Sequence, residues 1–412
     1  MLAWAALACG CAFAAPLTLN ECLDTAMANN PELKAAQETI ASERAGVLQA
    51  ASVGRTQVSA SAGYTRGGTG LSSQNNDGSY TGSLEVSQQL SDWGRLDANI
   101  EGAKLSEEAA SADYMSTRED IIQDVCTAYY GLNRAVRDNE IAQTRYDNYA
   151  KRLDWAKSYY EVGTKAKIEV TKAEADLAAS KLDVVESKAD IEECRAELAN
   201  AMGVPTLDVD AAQDMLEYEE WGVTFDDAVK RALEERSELT AKRKRVEYAQ
   251  TNLTVQMKGL SPSLSASAGY DVYGPSAFDT GEWSARLSLD LPIWDGGLTK
   301  GKIEEAEAEL RVAQAELQSL SDSVVLEVRK ACLALDEAKE ALVSSREAER
   351  SAKETLDLAL GRYSAGVGDN LEISDAVESY ASACESRVLA LYNCKTARLD
   401  LEKAMGGLKY GE

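Results

Sequence analysis

The chain has 412 residues, 43 basic against 69 acidic side chains, a formal net charge of -26 and no histidine. A surface this acidic repels nucleic acid, and the lack of histidine removes the commonest general base and zinc ligand. Neither a nucleic-acid partner nor an enzyme is expected, and no cofactor or metal constellation emerges. Only 3 Phe, 6 Trp and 6 Pro are present, while Ala, Glu, Leu, Lys and Ser dominate, the composition of long helices and coiled coils.

Residues 1–14 read as a signal peptide, an apolar run closed by the small-x-small site Ala12-Phe13-Ala14. An envelope location follows. Lipidation at Cys9 or Cys11 is the alternative, although neither cysteine has a Leu three residues before it. Beyond the leader there is no apolar run of 18 or more residues, so no transmembrane helix is expected. Cys126, Cys332 and Cys394 read as small buried hydrophobes.

The remainder is an internal tandem duplication. "LTLNECLDTAMANNPEL" at 17–33 is echoed by "VTFDDAVKRALEERSEL" at 223–239, and "SASAGY" occurs at 59–64 and again at 265–270, both at an offset of 206. "LSDWGRL" at 90–96 matches "LPIWDGGL" at 291–298, "YEVG" at 160–163 matches "YSAG" at 363–366, and "NAMG" at 200–203 matches "KAMG" at 403–406. A period near 200 is far beyond the roughly 20–50 residues of a solenoid unit. The first copy spans 15–204, an acidic connector 205–222, and the second copy 223–412.

Within the first copy, Asn30-Pro31 interrupts an opening helix. Strands follow at about 57–66 and 79–90, then a long helix at about 95–162 and a return helix at about 165–202. The second copy repeats this with strands at about 263–273 and 282–292, a long helix at about 298–364 and a return helix at about 370–405. The second long helix carries a seam at Ile303, Ala306, Leu310, Ala313, Leu317, Leu320, Val324, Val328, Ala331, Leu335, Ala338 and Leu342, in the steps of three and four of a coiled coil. Each long helix would extend about 100 Å.

The strand segments alternate instead. Ala60, Ala62, Tyr64, Leu84 and Val86 in the first copy, and Ala266, Ala268, Tyr270, Trp283, Leu287 and Leu289 in the second, share one face against Ser, Gly and charged neighbours. Soluble hairpins packed on helices would also alternate. Their length of about 10–12 residues, the leader and the small apolar side chains favour strands that cross a membrane with this face on lipid. Four strands cannot close a barrel, and open edges in lipid are costly, so other subunits must complete it. A dimer (about 8 strands) and a trimer (about 12) both satisfy the even count.

Two hairpins and two long helix pairs in tandem, with Trp-Gly or Trp-Asp-Gly-Gly where strand meets helix and Tyr-x-x-Gly followed by an acidic residue, resemble the TolC family of outer-membrane efflux channels. The resemblance covers essentially the whole mature chain. It implies a mainly α fold with a membrane β-barrel portion: a homotrimer with a 12-stranded barrel in outer-membrane lipid and an antiparallel coiled-coil α-barrel crossing the periplasm. It further implies an exit duct for a tripartite efflux or type I secretion system, docked by a periplasmic membrane-fusion adaptor to an inner-membrane pump of the RND, ABC or MFS type. Adaptor-docking tips carry over to Val162, Gly163 and Thr164 and to Ala365, Gly366 and Val367. A pore constriction carries over to Glu372 and Asp375, and a gate contact to Glu169 and Tyr363. Gly368 stands where the family's best-studied type has a gate-locking arginine, which leaves Lys165 or Lys167 as substitutes. The competing reading is a secreted coiled-coil structural or adhesive envelope protein.

Overall fold

The computed structural model describes residues 17–66, 78–207, 216–218, 221–275 and 280–408. The expected signal peptide, Cys9, Cys11 and much of the acidic connector lie outside these residues. The elements run α1 (Leu19–Asn29), α2 (Pro31–Ser52), β1 (Gln57–Arg66), β2 (Gly78–Ser91), α3 (Arg95–Glu161) and α4 (Lys167–Ala201), and then α5 (Phe225–Glu235), α6 (Ser237–Met257), β3 (Ser263–Gly274), β4 (Thr280–Asp290), α7 (Leu298–Ser364) and α8 (Asn370–Ala404). The two series match element by element: α3 and α7 have 67 residues each, and α4 and α8 have 35 each.

Local chemistry repeats with the elements. Thr18 opens α1 with a capping box, its hydroxyl accepting from the Glu21 amide while the Glu21 carboxylate accepts from the Thr18 amide. Thr224 caps α5 by accepting from the Asp227 amide at 3.3 Å. At the α1–α2 break the Asn30 carboxamide accepts from the Glu32 amide and donates to the Ala201 carbonyl. The equivalent break, between α5 and α6, carries the buried Arg236, which is ion-paired to Glu327 at 2.8 Å.

The chain forms two compact units. One comprises the described parts of Met1–Ala35, Met115–Arg236 and Asp322–Glu412, the other Ala36–Tyr114 and Ser237–Ser321. The second unit holds the four-stranded antiparallel sheet, in the order β1-β2-β3-β4. Its register aligns Ala60, Leu84, Tyr270 and Trp283 in one row, and Val58, Val86, Ala268 and Ala285 in the next. Residues directly opposite in an antiparallel ladder share a face, so the apolar set forms one continuous surface. Ser59, Glu85, Gly269 and Ser284 make the row between them, and Ser61, Ser83, Asp271 and Glu282 a polar row on the other side of Ala60, with the Ser61 and Ser83 hydroxyls 2.8 Å apart.

Below β2 the chain turns through Trp93, a non-glycine residue at φ 56°, and Gly94, whose carbonyl accepts from the Lys258 ammonium at 2.9 Å. The matching turn after β4 uses Asp295 instead. Its carboxylate accepts from the Gly297 and Thr299 amides at 3.0 and 2.7 Å, and hydrogen bonding by the Thr299 hydroxyl first, then by these amides, holds it below the usual carboxylate range.

In the first unit the lower seam of α7 is buried at Val324, Val328, Ala331, Leu335, Ala338 and Leu342. Higher on α7, Ala306 is buried and Ile303, Leu310, Ala313, Leu317 and Leu320 are half-buried. Of the three cysteines expected to be core residues, Cys126 and Cys394 are buried, but Cys332 is only half-buried, because it lies one position off the seam residue Ala331. No helix among the described residues is long and apolar enough to cross a membrane.

Candidate functional site

The first unit ends in two helical turns built alike. After α3, Gly163 at φ 79° lets its amide reach the Tyr160 carbonyl and the Thr164 amide reach the Tyr159 carbonyl, both at 2.9 Å. After α7, Gly366 at φ 79° does the same, with its amide on the Tyr363 carbonyl and the Val367 amide on that of Arg362. Both are Schellman caps, which need a residue that enters the left-handed region without strain. They leave Val162, Gly163 and Thr164 exposed on one turn, and Ala365, Gly366 and Val367 exposed on the other. Val162 and Val367 are 78% and 71% exposed, an apolar pair presented to whatever meets the tips.

Behind the turns lies a small core of Tyr149, Leu356, Ala359, Tyr363, Ile373, Ala376 and Val377. Tyr363 is 1% exposed, stacked near Trp155 (6.0 Å) and edge-on to Tyr159 (5.5 Å). The Tyr159 hydroxyl donates to the Tyr363 carbonyl at 3.0 Å, tying α3 to the end of α7. The Tyr363 hydroxyl and Glu169 Oε2 are both buried, and each is without a hydrogen-bond partner among the described residues. No hydrogen bond joins these two expected gate residues to each other. They interact through charge: burial first, and then the Glu169 carboxylate, push the Tyr363 phenol above its ordinary pKa.

The expected constriction residues Glu372 and Asp375 are exposed on the first turns of α8. Glu372 is paired with Arg362 at 3.2 Å, which offsets one of the two charges. Of the two proposed substitutes for the missing arginine, Lys165 reaches the Gly368 carbonyl at 3.5 Å and sits 5.9 Å from the Tyr363 ring centre. Lys167 is exposed at the first position of α4. Gly368 itself is buried, and a Cβ built on it would lie 2.7 Å from the Tyr363 amide nitrogen. The turn closes too tightly there for any side chain, an arginine included.

Sequence reasoning missed the most buried ion of this region. Arg152 on α3 is 2% exposed and is the largest fully buried side chain described. Its guanidinium donates to Asp176 of α4 at 2.6 Å and to the Asn370 carboxamide of α8, and packs over the Tyr149 ring at 5.6 Å. One heptad earlier, Arg145 pairs with Asp183 of α4 at 3.1 Å and with Glu385 of α8. The signal was available: Ala142, Arg145, Tyr149, Arg152, Ala156 and Tyr159 follow steps of three and four, so two arginines occupy seam positions.

Comparison with known proteins adds a family to this geometry. The family model described as outer membrane efflux protein matches residues 22–204 and 228–407, nearly all of both halves. The chain belongs to the outer membrane efflux protein family. Among relatives within this family, it is 24% identical to the outer membrane protein TolC of Vibrio cholerae, over 95% of this chain and 91% of that one. It is 22% identical to the pyoverdine export outer membrane protein OpmQ of Pseudomonas aeruginosa, over 96% and 86%. The fold is shared with the MtrE outer membrane channel of Neisseria gonorrhoeae in its open state, with a TM-score of 0.80 and 23% identity over 95% and 90% of the two chains.

Proposed function

We propose that this chain is the outer-membrane exit duct of an efflux or type I secretion assembly, performing no chemistry and binding no cofactor. The single observation that carries most weight is a sheet with continuous apolar rows on one face and two unpaired edges, β1 and β4, in a chain matched to the efflux family over both halves. Unpaired edges are not tolerated in lipid. Copies joined head to tail, β4 of one to β1 of the next, close a ring, and three copies make a barrel of about 12 strands, within the known series.

In this reading Ala60, Ala62, Tyr64, Leu84, Val86, Ala266, Ala268, Tyr270, Trp283, Leu287 and Leu289 face lipid. The long helices form a periplasmic α-barrel, and the apolar turns at Val162 to Thr164 and Ala365 to Val367 receive a membrane-fusion adaptor coupled to an inner-membrane pump. Glu372 and Asp375 converge on the axis as a cation-attracting constriction. Glu169 and Tyr363 take part in the gate, and adaptor binding favours the splayed tips.

Native mass spectrometry in detergent tests the assembly, with a trimer expected. Reconstitution in planar bilayers tests the duct, with discrete conductance steps expected. Release of the protein from membranes by urea or high salt, without detergent, would overturn this reading in favour of a secreted coiled-coil protein.

A further inference from the structure

We propose that Arg152 is the latch of the gate, holding the α7–α8 tip to the α3–α4 pair, and that opening proceeds by parting Arg152 from Asn370. This rests on the reading of the chain as a gated duct.

Three observations carry the inference. The first is position. Asn370 is the first residue of α8, 2% exposed, and it faces both partners: its carboxamide oxygen accepts from Arg152 on α3, and its Nδ2 lies 3.5 Å from the Glu169 carbonyl on α4. One side chain therefore joins the start of α8 to both helices of the other pair. The second is exclusion. No side chain at position 368 can serve as a lock, because a Cβ at Gly368 would meet the Tyr363 backbone at 2.7–2.9 Å. The third is the division of charge. Arg152 has its counter-ion on the α4 side of the joint, in Asp176 at 2.6 Å, and a neutral group on the α8 side.

That division makes the joint reversible. A buried guanidinium stripped of its only carboxylate would be left uncompensated, a large penalty that would weld the tips shut. Here α8 can withdraw with Asn370 while Arg152 keeps Asp176, so opening gives up charge-assisted hydrogen bonding but no ion pair. The bidentate reach of the guanidinium is what lets one side chain hold α4 and α8 together, and a lysine would not reproduce it. Arg145, one heptad higher, has carboxylates on both sides, in Asp183 and Glu385. That rung resists separation more strongly, so parting starts at the Arg152 rung next to the tip.

The test compares Asn370→Ala, Asn370→Asp and Arg152→Met with the unmodified chain in planar bilayers, alongside thermal melting by circular dichroism. Asn370→Ala should raise open probability about tenfold, the equivalent of losing one hydrogen bond to a charged group, without lowering the melting temperature to match. Asn370→Asp should lower open probability, because a carboxylate on α8 turns the hydrogen bond into an ion pair. A merely structural role would give no such opposite pair. Arg152→Met should open as Asn370→Ala does; if it fails to fold, the two Asn370 variants decide the matter. Open probabilities of both Asn370 variants within about twofold of the unmodified channel would overturn the latch while leaving the duct intact. An unmodified chain that forms no channels would overturn the duct reading, and the latch with it.

Discussion

The two halves of the chain place equivalent residues in opposite surroundings. Tyr160 and Tyr363 share a position in the repeat, yet the first is 45% exposed and the second 1%. Val185 and Val388 are also equivalent, and they are 58% and 7% exposed. Glu169 and Glu372 correspond as well: one hides an unpartnered oxygen, while the other is exposed and paired with Arg362. Helix α4 buries Ala173, Ser180, Val184, Ser187, Leu198 and Ala199, whereas the equally long α8 buries thirteen residues. The difference comes from neighbours. Helix α8 is bonded to α3 through Arg152 and Lys403 and to α7 through Arg387 and Glu349, while α4 keeps an open apolar face at Ile168, Leu182 and Val185. Duplication copied the pattern, and packing assigned each copy its side.

This asymmetry can be broken at matched positions, and the largest effect is expected at the valines. Val388→Asp should cost about 3–5 kcal/mol as an uncompensated buried charge, seen as loss of the cooperative melt by circular dichroism. Val185→Asp should leave the protomer folded and weaken its association with a second copy, read as monomers in native mass spectrometry. Intact trimers from Val185→Asp would show that the open face of α4 is not an interface.

At the tips, Gly368→Ala should cost about 1–3 kcal/mol, because the clash is with backbone rather than with a yielding side chain. Its counterpart Lys165→Ala should cost about 0.5–1 kcal/mol, the value of a half-buried cation over an aromatic ring. Equal melting temperatures for the two variants would mean that the turns are interchangeable.

The buried Tyr363 should also confer a pH dependence. The folded-state pKa of Tyr363 is raised, so the neutral phenol stabilises the packing behind the turns fully below the ordinary value of about 10, and that stabilisation is lost as pH rises through the folded value. Conductance should therefore climb in the alkaline range. Tyr363→Phe, with no hydroxyl to ionise, should flatten the rise. A rise that survives Tyr363→Phe would assign it to another group.

The smallest effect is expected at the proposed constriction. Asp375→Asn should reduce cation selectivity by about twofold, measured from reversal potentials in a salt gradient. Glu372→Gln should change it less, since Arg362 already offsets that charge. A larger effect from Glu372→Gln would reverse their assigned weights.

Much of the fold was legible in residue order because its signals are local. The Thr18 and Thr224 caps, the glycines at 163 and 366, and the alternation around Ala60 and Ala266 each act within a few residues. The site was legible in part. The exposed turns and the burial of Tyr363 lie where the repeated Tyr-x-x-Gly directs attention. The Arg152 joint was hidden, since it draws on residues 152, 176 and 370, which periodicity does not connect. An arginine in a seam marks an ionic layer but does not name its partners.

The sequence by itself determined the duplication, the order and length of the elements, and which strand residues share a face, because helix and strand periods translate directly into sides. Only the tertiary structure decided which of two equivalent tyrosines is buried, why no side chain fits at Gly368, and which carboxylate answers which arginine. Those outcomes depend on what is packed alongside each helix, and the two copies of one sequence pattern have different neighbours.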